Sequence, residues 1–310
     1  MVLSTPFWKR CGLPLLIVIA IFAVIYSLRQ AGDAAWTSDS ILPFASKAAP
    51  AKNVAVIIED RPLSNLAPLL LHFSSVLGPD WPIVLYTSEG KQPGSLPFRR
   101  AVEEGRISVR NLPDGIAFTQ HQAVSQFLTS PWLWDQLAPA GHVLLFQADS
   151  ILCANSDLRV DDFLGYDFVG APIYVPANPA AGHGEGLNGG LSLRNRSMIL
   201  DIVKNHSWQT EMDDGTISQE GCVTTQPCLK FEDQWFYHKM KNIAKSSEGQ
   251  SVARLPTVEV ASTFAVETVW HDAPLGYHQV ARWNTNKMDK VTKWCPEIAI
   301  ATEDLLIQHK

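Results

Sequence analysis

Four short groups of polar residues in this sequence could carry chemistry, and the first is a carboxylate that follows an apolar run. Asp149 comes two residues after Gln147, at the end of the segment Gly141-His-Val-Leu-Leu-Phe-Gln. A carboxylate at the end of a buried strand can hold a divalent cation that bridges a diphosphate. The alternative is an aspartate that only caps the next turn or helix.

The second group is rich in glycine and runs from Gly184 to Arg194. Gly184, Gly186 and Gly189 fit the G-x-G-x-x-G pattern, but no predicted strand precedes them and no long helix begins at the third glycine. A dinucleotide site, and with it a soluble dehydrogenase, is therefore disfavoured. The glycines would let the backbone approach a ligand closely, and the alternative is a plain hairpin.

The third group is the acidic pair Glu232-Asp233, and the fourth is Pro274-Leu-Gly-Tyr-His278. Acidic residues at a helix start often only compensate the helix dipole. If they face a crevice, one of them can act as general base toward an incoming hydroxyl. The fourth group is predicted to be a turn that presents the imidazole of His278, although a single histidine is more often structural.

The elements that must position these groups alternate between strand and helix at intervals of about 25 residues, the pattern of an α/β domain with a mainly parallel sheet. Ligands of such sheets bind at the carboxyl ends of the strands, which makes the segments after Ile58 and Phe146 the first candidates. Arg61 lies in the former segment, where it could form charge-assisted bonds with phosphate. The predicted strands are 53–58, 82–87, 107–112, 141–147, 167–172 and 191–194. The predicted helices are 66–77, 118–127, 196–204 and 232–242, and a loop is predicted at 176–190.

An uncharged, apolar segment from Cys11 to Leu28 follows Lys9 and Arg10. Its 18 residues would form a helix of about 27 Å, enough to cross a thin bilayer. A cleaved signal peptide is the alternative. The positive-inside rule predicts a type II membrane protein of the Golgi or endoplasmic reticulum. The predicted organisation is a cytosolic tail (1–10), a transmembrane signal anchor (11–29), a stem (30–52) and a lumenal domain (53–310).

Composition limits the partners and the redox compartment. The chain of 310 residues has a net charge of −6 and no run of Lys or Arg beyond a pair, so nucleic acid is not an expected partner. Outside the anchor, an even number of cysteines would suit an oxidising lumen and could pair in three ways. These disulfide candidates are Cys153, Cys222, Cys228 and Cys295. Sequons at Asn195 and Asn205 are candidate glycosylation sites.

Taken in order, these groups resemble a known family. The segments Gln147-Ala-Asp-Ser, Tyr166-Asp-Phe-Val-Gly-Ala-Pro, Asn188-Gly-Gly-Leu-Ser-Leu-Arg, Glu232-Asp and Pro274-Leu-Gly-Tyr-His recur in a fungal family known only as a domain of unknown function and regarded as glycosyltransferase-like. They also resemble the wider nucleotide-sugar transferases of the A-type fold. The resemblance covers about residues 53–283 and implies a single Rossmann-like domain with a mixed, mainly parallel sheet flanked by helices.

The resemblance also implies roles for individual residues. Asp149 matches the second aspartate of the Asp-x-Asp motif that binds Mn²⁺ or Mg²⁺ in those enzymes, and Gln147 stands at the first. Because an amide oxygen is a weaker ligand for a hard cation than a carboxylate, Gln147 weakens the predicted metal site. The implied metal ligands are Asp149 and His278, the donor-binding residues Gln147, Asp149 and Ser150, the acceptor-side residues Asn188, Gly189 and Gly190, and the catalytic base Asp233 or Glu232.

The function expected from these residues is transfer of a sugar from a nucleotide-sugar donor to an acceptor hydroxyl. The expected partners are the donor, a glycan or glycoconjugate acceptor, and the membrane. The alternative is a non-catalytic glycan-binding or scaffold protein on a degenerate transferase fold, which the glutamine at position 147 favours.

Overall fold

The centre of the main sheet is built from two apolar runs, Asn53-Val-Ala-Val-Ile-Ile and His142-Val-Leu-Leu-Phe. The computed structural model describes residues 52–116, 118, 120–173, 186–217, 229–246 and 253–301. Both runs are almost entirely buried, which fits strands that are covered by helices on both faces. The sheet has six strands in the order β3-β2-β1-β4-β7-β6. They are β1 (Asn53–Ile58), β2 (Ile83–Thr87), β3 (Ile107–Asn111), β4 (His142–Phe146), β6 (Phe168–Ile173) and β7 (Gly186–Asn195).

Strand order places a switch point between β1 and β4. From β1 the chain moves outward through β2 and β3 and then returns to β4 on the other side of β1, and all these pairs are parallel. Strand β7 alone runs antiparallel to its neighbours β4 and β6. The predicted mixed, mainly parallel α/β sheet is confirmed. In open α/β sheets the crevice at such a switch point, outside the carboxyl ends of the strands, is where ligands bind.

Alternating side chains of the strands face two apolar layers. Ala55 and Ile57 pack with α1 and α2 on one face, whereas Val54 and Val56 pack with α3 to α7 on the other. This two-sided burial is what holds the carboxyl ends of the central strands in fixed positions. Among the described residues, the first seven helices are α1 (Leu66–Leu77), α2 (Leu96–Glu103), α3 (His121–Leu128), α4 (Pro131–Gln136), α5 (Arg196–Asn205), α6 (Trp208–Asp213) and α7 (Glu232–Ser246). The last three are α8 (Val258–Phe264), α9 (Val280–Trp283) and α10 (Met288–Trp294), and 3₁₀ turns lie at Val160–Phe163 and Thr285–Lys287.

A second sheet has three short strands, and the first of them follows directly after β4 in the chain. It has the order β5-β9-β8, formed by Ser150–Leu152, Gly276–His278 and Ala265–Val266. Ser150 pairs with His278 in an antiparallel register. Because only a short turn separates β4 from β5, the residues of that turn are brought against the end of β9. A disulfide between Cys153 and Cys295 follows β5 and connects it to the end of α10, one of the pairings that the sequence allowed.

Several local predictions were wrong. Residues 186–190 were predicted as part of a loop, but they are the first half of strand β7, which pairs with β6 through Leu187 and Pro172. His278 was predicted in a turn and lies in strand β9.

Other predictions fall on residues that the structure does not describe. The tail, the anchor and nearly all of the stem, together with Cys222 and Cys228, lie outside the described residues. Within the part of the chain that the structure describes, no helix is both long and apolar enough to span a bilayer.

Candidate functional site

The turn between β4 and β5 places Gln147 and Asp149 against His278. Nε2 of His278 lies 3.2 Å from Oε1 of Gln147 and 3.4 Å from Oδ1 of Asp149. The backbone fixes this turn, because the N–H of Gln147 donates to the carbonyl of Gly190 at 2.8 Å. These two residues and the histidine, predicted from separate motifs, therefore form one cluster at the carboxyl end of β4.

His278 is buried between two carboxylates. Its side chain is 3% exposed, with Asp149 on the Nε2 side and Glu267 Oε1 at 3.6 Å from Nδ1. Burial favours the neutral ring, but the charges of Asp149 and Glu267 outweigh burial and raise the pKa of His278 to about 10. Burial likewise works to raise the pKa of Asp149, but the charge of His278 and hydrogen bonds from His278 and Gln279 lower it to about 2. At neutral pH the cluster is an imidazolium between carboxylates.

Gln279 completes the cluster and was not predicted from the sequence. Its side-chain amide donates to Oδ2 of Asp149 at 2.8 Å, and its backbone N–H donates to the carbonyl of Asp149 at 3.1 Å. It has a left-handed backbone with φ of 45°, an uncommon conformation for a residue other than glycine. Such strain clusters at functional sites. The only signal in the sequence was its place next to His278.

Two adjoining cavities meet at this cluster. The first has a volume of about 350 Å³ and lies at the carboxyl ends of β1 and β4, between Arg61 and Asp149. The second has a volume of about 300 Å³ and extends from His278 to the acidic pair Glu232-Asp233. Both cavities are lined by His121, Val124, Gln147, Gly189 and Gln279.

Arg61 lines the first cavity, as its position after β1 led us to expect, but its guanidinium is already paired with Glu59. It donates from Nε and Nη2 to the two carboxylate oxygens of Glu59, each at 2.8 Å, while the side chain stays 56% exposed. Ser150, which was predicted to bind the donor, lines neither cavity. It is fully buried, and its hydroxyl donates to the carbonyl of Gln147 at 2.7 Å, so it shapes the turn and lies out of reach of a ligand.

In the second cavity the glycines allow close packing. A Cβ on Gly190 would lie 2.1 Å from Nε2 of His278, so only glycine leaves room for the imidazole. A Cβ on Gly189 would lie 2.5 Å from Nη2 of Arg194. Asn188 lines the cavity, and its Oδ1 accepts the N–H of Gly190 at 2.7 Å. These predicted acceptor-side residues therefore do line the cavity, although they belong to a strand.

The acidic pair at the start of α7 has two different environments. Glu232 accepts from Arg194 at 3.0 Å, whereas Asp233 accepts backbone N–H groups of Gly189 at 2.8 Å and Gln234 at 2.7 Å. Burial and the charge of Glu232 raise the pKa of Asp233 to about 7, against the lowering effect of these hydrogen bonds and of Arg194. Asp233 is therefore a carboxylate whose proton affinity suits a general base at neutral pH.

The cluster does not fit a divalent cation as its side chains stand. Nε2 of His278 faces two oxygen acceptors and carries a proton, so it offers no lone pair to a metal. Among the described residues, no three His, Cys, Asp or Glu side chains are grouped so that they could hold a metal ion. One carboxylate, Asp149, and one neutral amide oxygen then remain, fewer protein ligands than such a cation usually takes.

The two predicted sequons differ in accessibility. The amide nitrogen of Asn195 donates to Asp167 Oδ1 at 2.8 Å, and its Oδ1 caps α5 by accepting from Ser197 and Met198. A glycan on that nitrogen would compete with this packing, so the structure disfavours Asn195. Asn205 is exposed at the end of the same helix and stays a candidate.

The chain matches one protein-family model, and two of the solved structures that it resembles weakly are of the same protein. No curated protein is significantly similar in sequence to this chain. The crystal structure of residues 1–349 of TarS from S. aureus in complex with UDP-GlcNAc aligns with a TM-score of 0.36 and 12% identity, over 61% of this chain and 52% of that one. The same part of TarS in complex with UDP aligns with a TM-score of 0.33 and 13% identity, over 62% and 55%. The chain thus spans about half the length of these structures, and TM-scores this low establish neither a shared fold nor a shared substrate.

A family model described as "Protein of unknown function (DUF5672)" matches residues 106–278, more than half of the sequence. The matched region contains the turn with Gln147 and Asp149, the glycine-rich strand and the acidic pair, and it ends at His278. The chain therefore belongs to the DUF5672 family.

Proposed function

We propose that this protein transfers a sugar from a nucleotide-sugar donor to an acceptor hydroxyl. The observation that carries the proposal is the meeting of two cavities at the cluster of Gln147, Asp149 and His278, with the acidic pair Glu232-Asp233 lining the second cavity. A group transfer between two substrates needs two adjoining subsites with catalytic groups at the junction. The two adjoining cavities and the polar cluster between them support this proposal.

The first cavity suits the donor. Its wall includes the apolar side chains of Ile58, Val124 and Leu128, which can cover a nucleobase, and it lies at the switch point of the sheet. The diphosphate would approach the junction, where His278 is the buried cation and Arg61 lies at the entrance. A positive charge at this point stabilises the charge that develops on the leaving diphosphate.

The second cavity suits the acceptor. Asp233 lies on its wall and uses one lone pair of each carboxylate oxygen on a backbone N–H, so further lone pairs can accept a hydrogen bond from a hydroxyl. In an inverting transfer the acceptor oxygen forms the bond to the anomeric carbon as the bond to the diphosphate oxygen breaks. The hydroxyl proton passes to Asp233, and the nucleoside diphosphate leaves with the electron pair. A retaining transfer would not need this base.

The test is a transfer assay with the full-length protein and a panel of nucleotide sugars, preceded by thermal-shift measurements, since a ligand that binds only the folded form raises the melting temperature. We expect at least one nucleotide sugar to stabilise the protein and to release its nucleoside diphosphate when an acceptor is present. Asp233→Asn should abolish transfer and leave donor binding intact. Asp272→Asn is the matched control, because Asp272 is highly exposed and lines neither cavity.

The rival function is glycan binding without catalysis. It is favoured by Gln147, which offers a neutral oxygen where related enzymes have a carboxylate. Binding of glycans without stabilisation by any nucleotide sugar would support this rival and contradict the transferase proposal.

We also propose that the domain is lumenal and is held at the membrane by the predicted signal anchor 11–29. The disulfide between Cys153 and Cys295 supports an oxidising compartment, because such bonds are rare in the cytosol. Protease protection of the domain in sealed microsomes, together with a glycosidase-sensitive mass at Asn205, would support this topology. Digestion of the domain in intact vesicles would contradict it.

A further inference from the structure

Arg194 is a fully buried cation that the proposed reaction does not yet use. It lies on strand β7, and its side chain is 0% exposed. Its guanidinium carbon lies 5.0 Å from the ring of Phe168, 5.7 Å from that of Phe236 and 5.9 Å from that of Trp134. Aromatic faces attract a cation, and the planar guanidinium can stack between them in a way that an ammonium cannot. The protein thus holds one positive charge in a rigid position.

This charge is directed at one member of the acidic pair. Nη2 of Arg194 donates to Oε1 of Glu232 at 3.0 Å, and Nε donates to the hydroxyl of Ser192 at 3.0 Å. That hydroxyl donates to the carbonyl of Gly189 at 2.9 Å, and the N–H of the same glycine donates to Asp233 at 2.8 Å. Strand β7 therefore gives Glu232 a cation and Asp233 a backbone N–H.

Gly189 makes this arrangement possible. A Cβ at this position would lie 2.5 Å from Nη2 of Arg194, 2.8 Å from Oε1 of Glu232 and 3.0 Å from Cβ of Asp233. Any side chain there would push the guanidinium and the two carboxylates apart. The close packing of these three charged side chains thus explains why residue 189 is a glycine.

We propose that Arg194 is a positioning residue that divides the roles of the two carboxylates: its ion pair holds Glu232 as the fixed anion and leaves Asp233 as the carboxylate that accepts the proton of the acceptor. The inference rests on the proposed function. Two adjacent carboxylates in different environments commonly take different roles in this way. The charge of Glu232, in turn, makes Asp233 more basic, which agrees with the direction of its pKa.

Other charged groups line the same cavity as Asp233 and also influence its pKa. Besides Glu232 on its own helix and Arg194 on β7, the titratable and charged groups that line the same cavity are His121, Glu267, His278 and Arg282. None of them is altered in the variants below, so their contribution is constant across the series.

The experiment compares Arg194→Met, Arg194→Lys and Glu232→Gln with the wild type, in the full-length protein. Loss of the positive charge in Arg194→Met should reduce kcat by about tenfold, with KM for the donor little changed, since a general base contributes 10²–10⁴ in all. The acidic limb of the pH profile should move upward by about one pH unit. Glu232→Gln should move the limb downward, because the neighbouring negative charge is removed. Arg194→Lys keeps the charge, so its limb should stay near that of the wild type.

A purely structural role of Arg194 cannot move the acidic limb of the pH profile in opposite directions in Arg194→Met and Glu232→Gln. Equal losses in all three variants without a shift of the limb, or abolition of transfer by Glu232→Gln, would overturn the proposal. If Arg194→Met does not fold, Glu232→Gln still decides the direction of the shift.

A second measurement separates this inference from the proposed function. The pH dependence of the melting temperature reports the ionisation of Asp233 without any assay of transfer. If no nucleotide sugar is a substrate, the transferase proposal fails. Opposite shifts of the pH dependence of the melting temperature in Arg194→Met and Glu232→Gln would still confirm that Arg194 and Glu232 set the charge of Asp233. If transfer occurs, but Arg194→Met changes neither the pH profile of transfer nor the pH dependence of the melting temperature, the role of Arg194 is refuted and the transferase proposal stands.

Discussion

The amide oxygen of Gln147 lies 3.2 Å from Nε2 of His278, at the position where the resemblance to nucleotide-sugar transferases implied a metal-binding aspartate. The imidazolium of His278 supplies a positive charge to the junction of the two cavities. A carboxylate at position 147 would instead place a second negative oxygen beside Asp149. We therefore expect the choice between an amide and an acid at residue 147 to decide whether the junction binds a metal.

Gln147→Asp should therefore create a binding site for Mn²⁺. The variant brings two carboxylates to one point, and carboxylate oxygens are the hard ligands that such cations prefer. Isothermal calorimetry should detect saturable Mn²⁺ binding to Gln147→Asp and none to the wild type or to Gln147→Asn, the amide control. Saturable binding of Mn²⁺ to the wild type would show that His278 gives up its proton to the metal, contrary to this expectation.

Asp149 should stabilise the fold through its ion pair with His278. Its pKa in the folded state is about 2, below the ordinary value of 3.8, so its contribution is present above pH 4 and is lost as the pH falls toward 2. Asp149→Asn should lower the free energy of unfolding by about 2 kcal/mol at pH 7, from 1.36 kcal/mol per pH unit. Urea denaturation at pH 7 and at low pH checks this. A difference from the wild type that does not shrink in acid would argue that packing, and not charge, is lost.

Asp233 should have the opposite effect on stability. Its pKa is raised to about 7, so the folded state binds a proton more tightly than the unfolded chain does. The stability that this group contributes is complete below about pH 4 and is lost as the pH rises to 7. Relative to Asp233→Asn, the melting temperature of the wild type should fall across this window and then level off. Parallel curves for the two proteins would mean that Asp233 ionises as an ordinary exposed carboxyl.

The sequence predicted the large elements because their signals are local. The runs Asn53–Ile58 and His142–Phe146 are continuous and apolar, which indicates buried strands, and the segment Leu66–Leu77 has helical spacing. Residues 186–190 were predicted as loop because glycine and asparagine have low strand propensity, but pairing with β6 overrides that preference. The pairing of Ser150 with His278 joins residues far apart in the chain, and three-residue strands carry no periodic signal.

The site was predictable only in part, because some of its residues take their roles from partners that are distant in the chain. Gln147, Asp149, Asp233 and His278 could be named because their residue types allow the chemistry. Arg194 and Gln279 could not, because their roles depend on partners elsewhere in the chain, Glu232 and Asp149. An arginine at the end of the predicted strand Leu191-Ser-Leu-Arg was the one available sign, since a buried cation requires a partner.

Gly190→Ala should disrupt the cluster through contact with His278. The added Cβ would lie 2.1 Å from Nε2 and within 2.6 Å of two ring carbons, so the imidazole must move away from Asp149 and Gln147. Because His278 is then unable to face the junction of the cavities, donor binding should weaken by at least about tenfold, the effect of losing roughly 1.4 kcal/mol. Calorimetric titration with the nucleotide sugar that stabilises the wild type measures this loss. Gly165→Ala is the matched control, because a Cβ there meets no atom within 4 Å and should leave the affinity unchanged. Equal affinities in Gly190→Ala and Gly165→Ala would show that the imidazole takes no part in binding the donor.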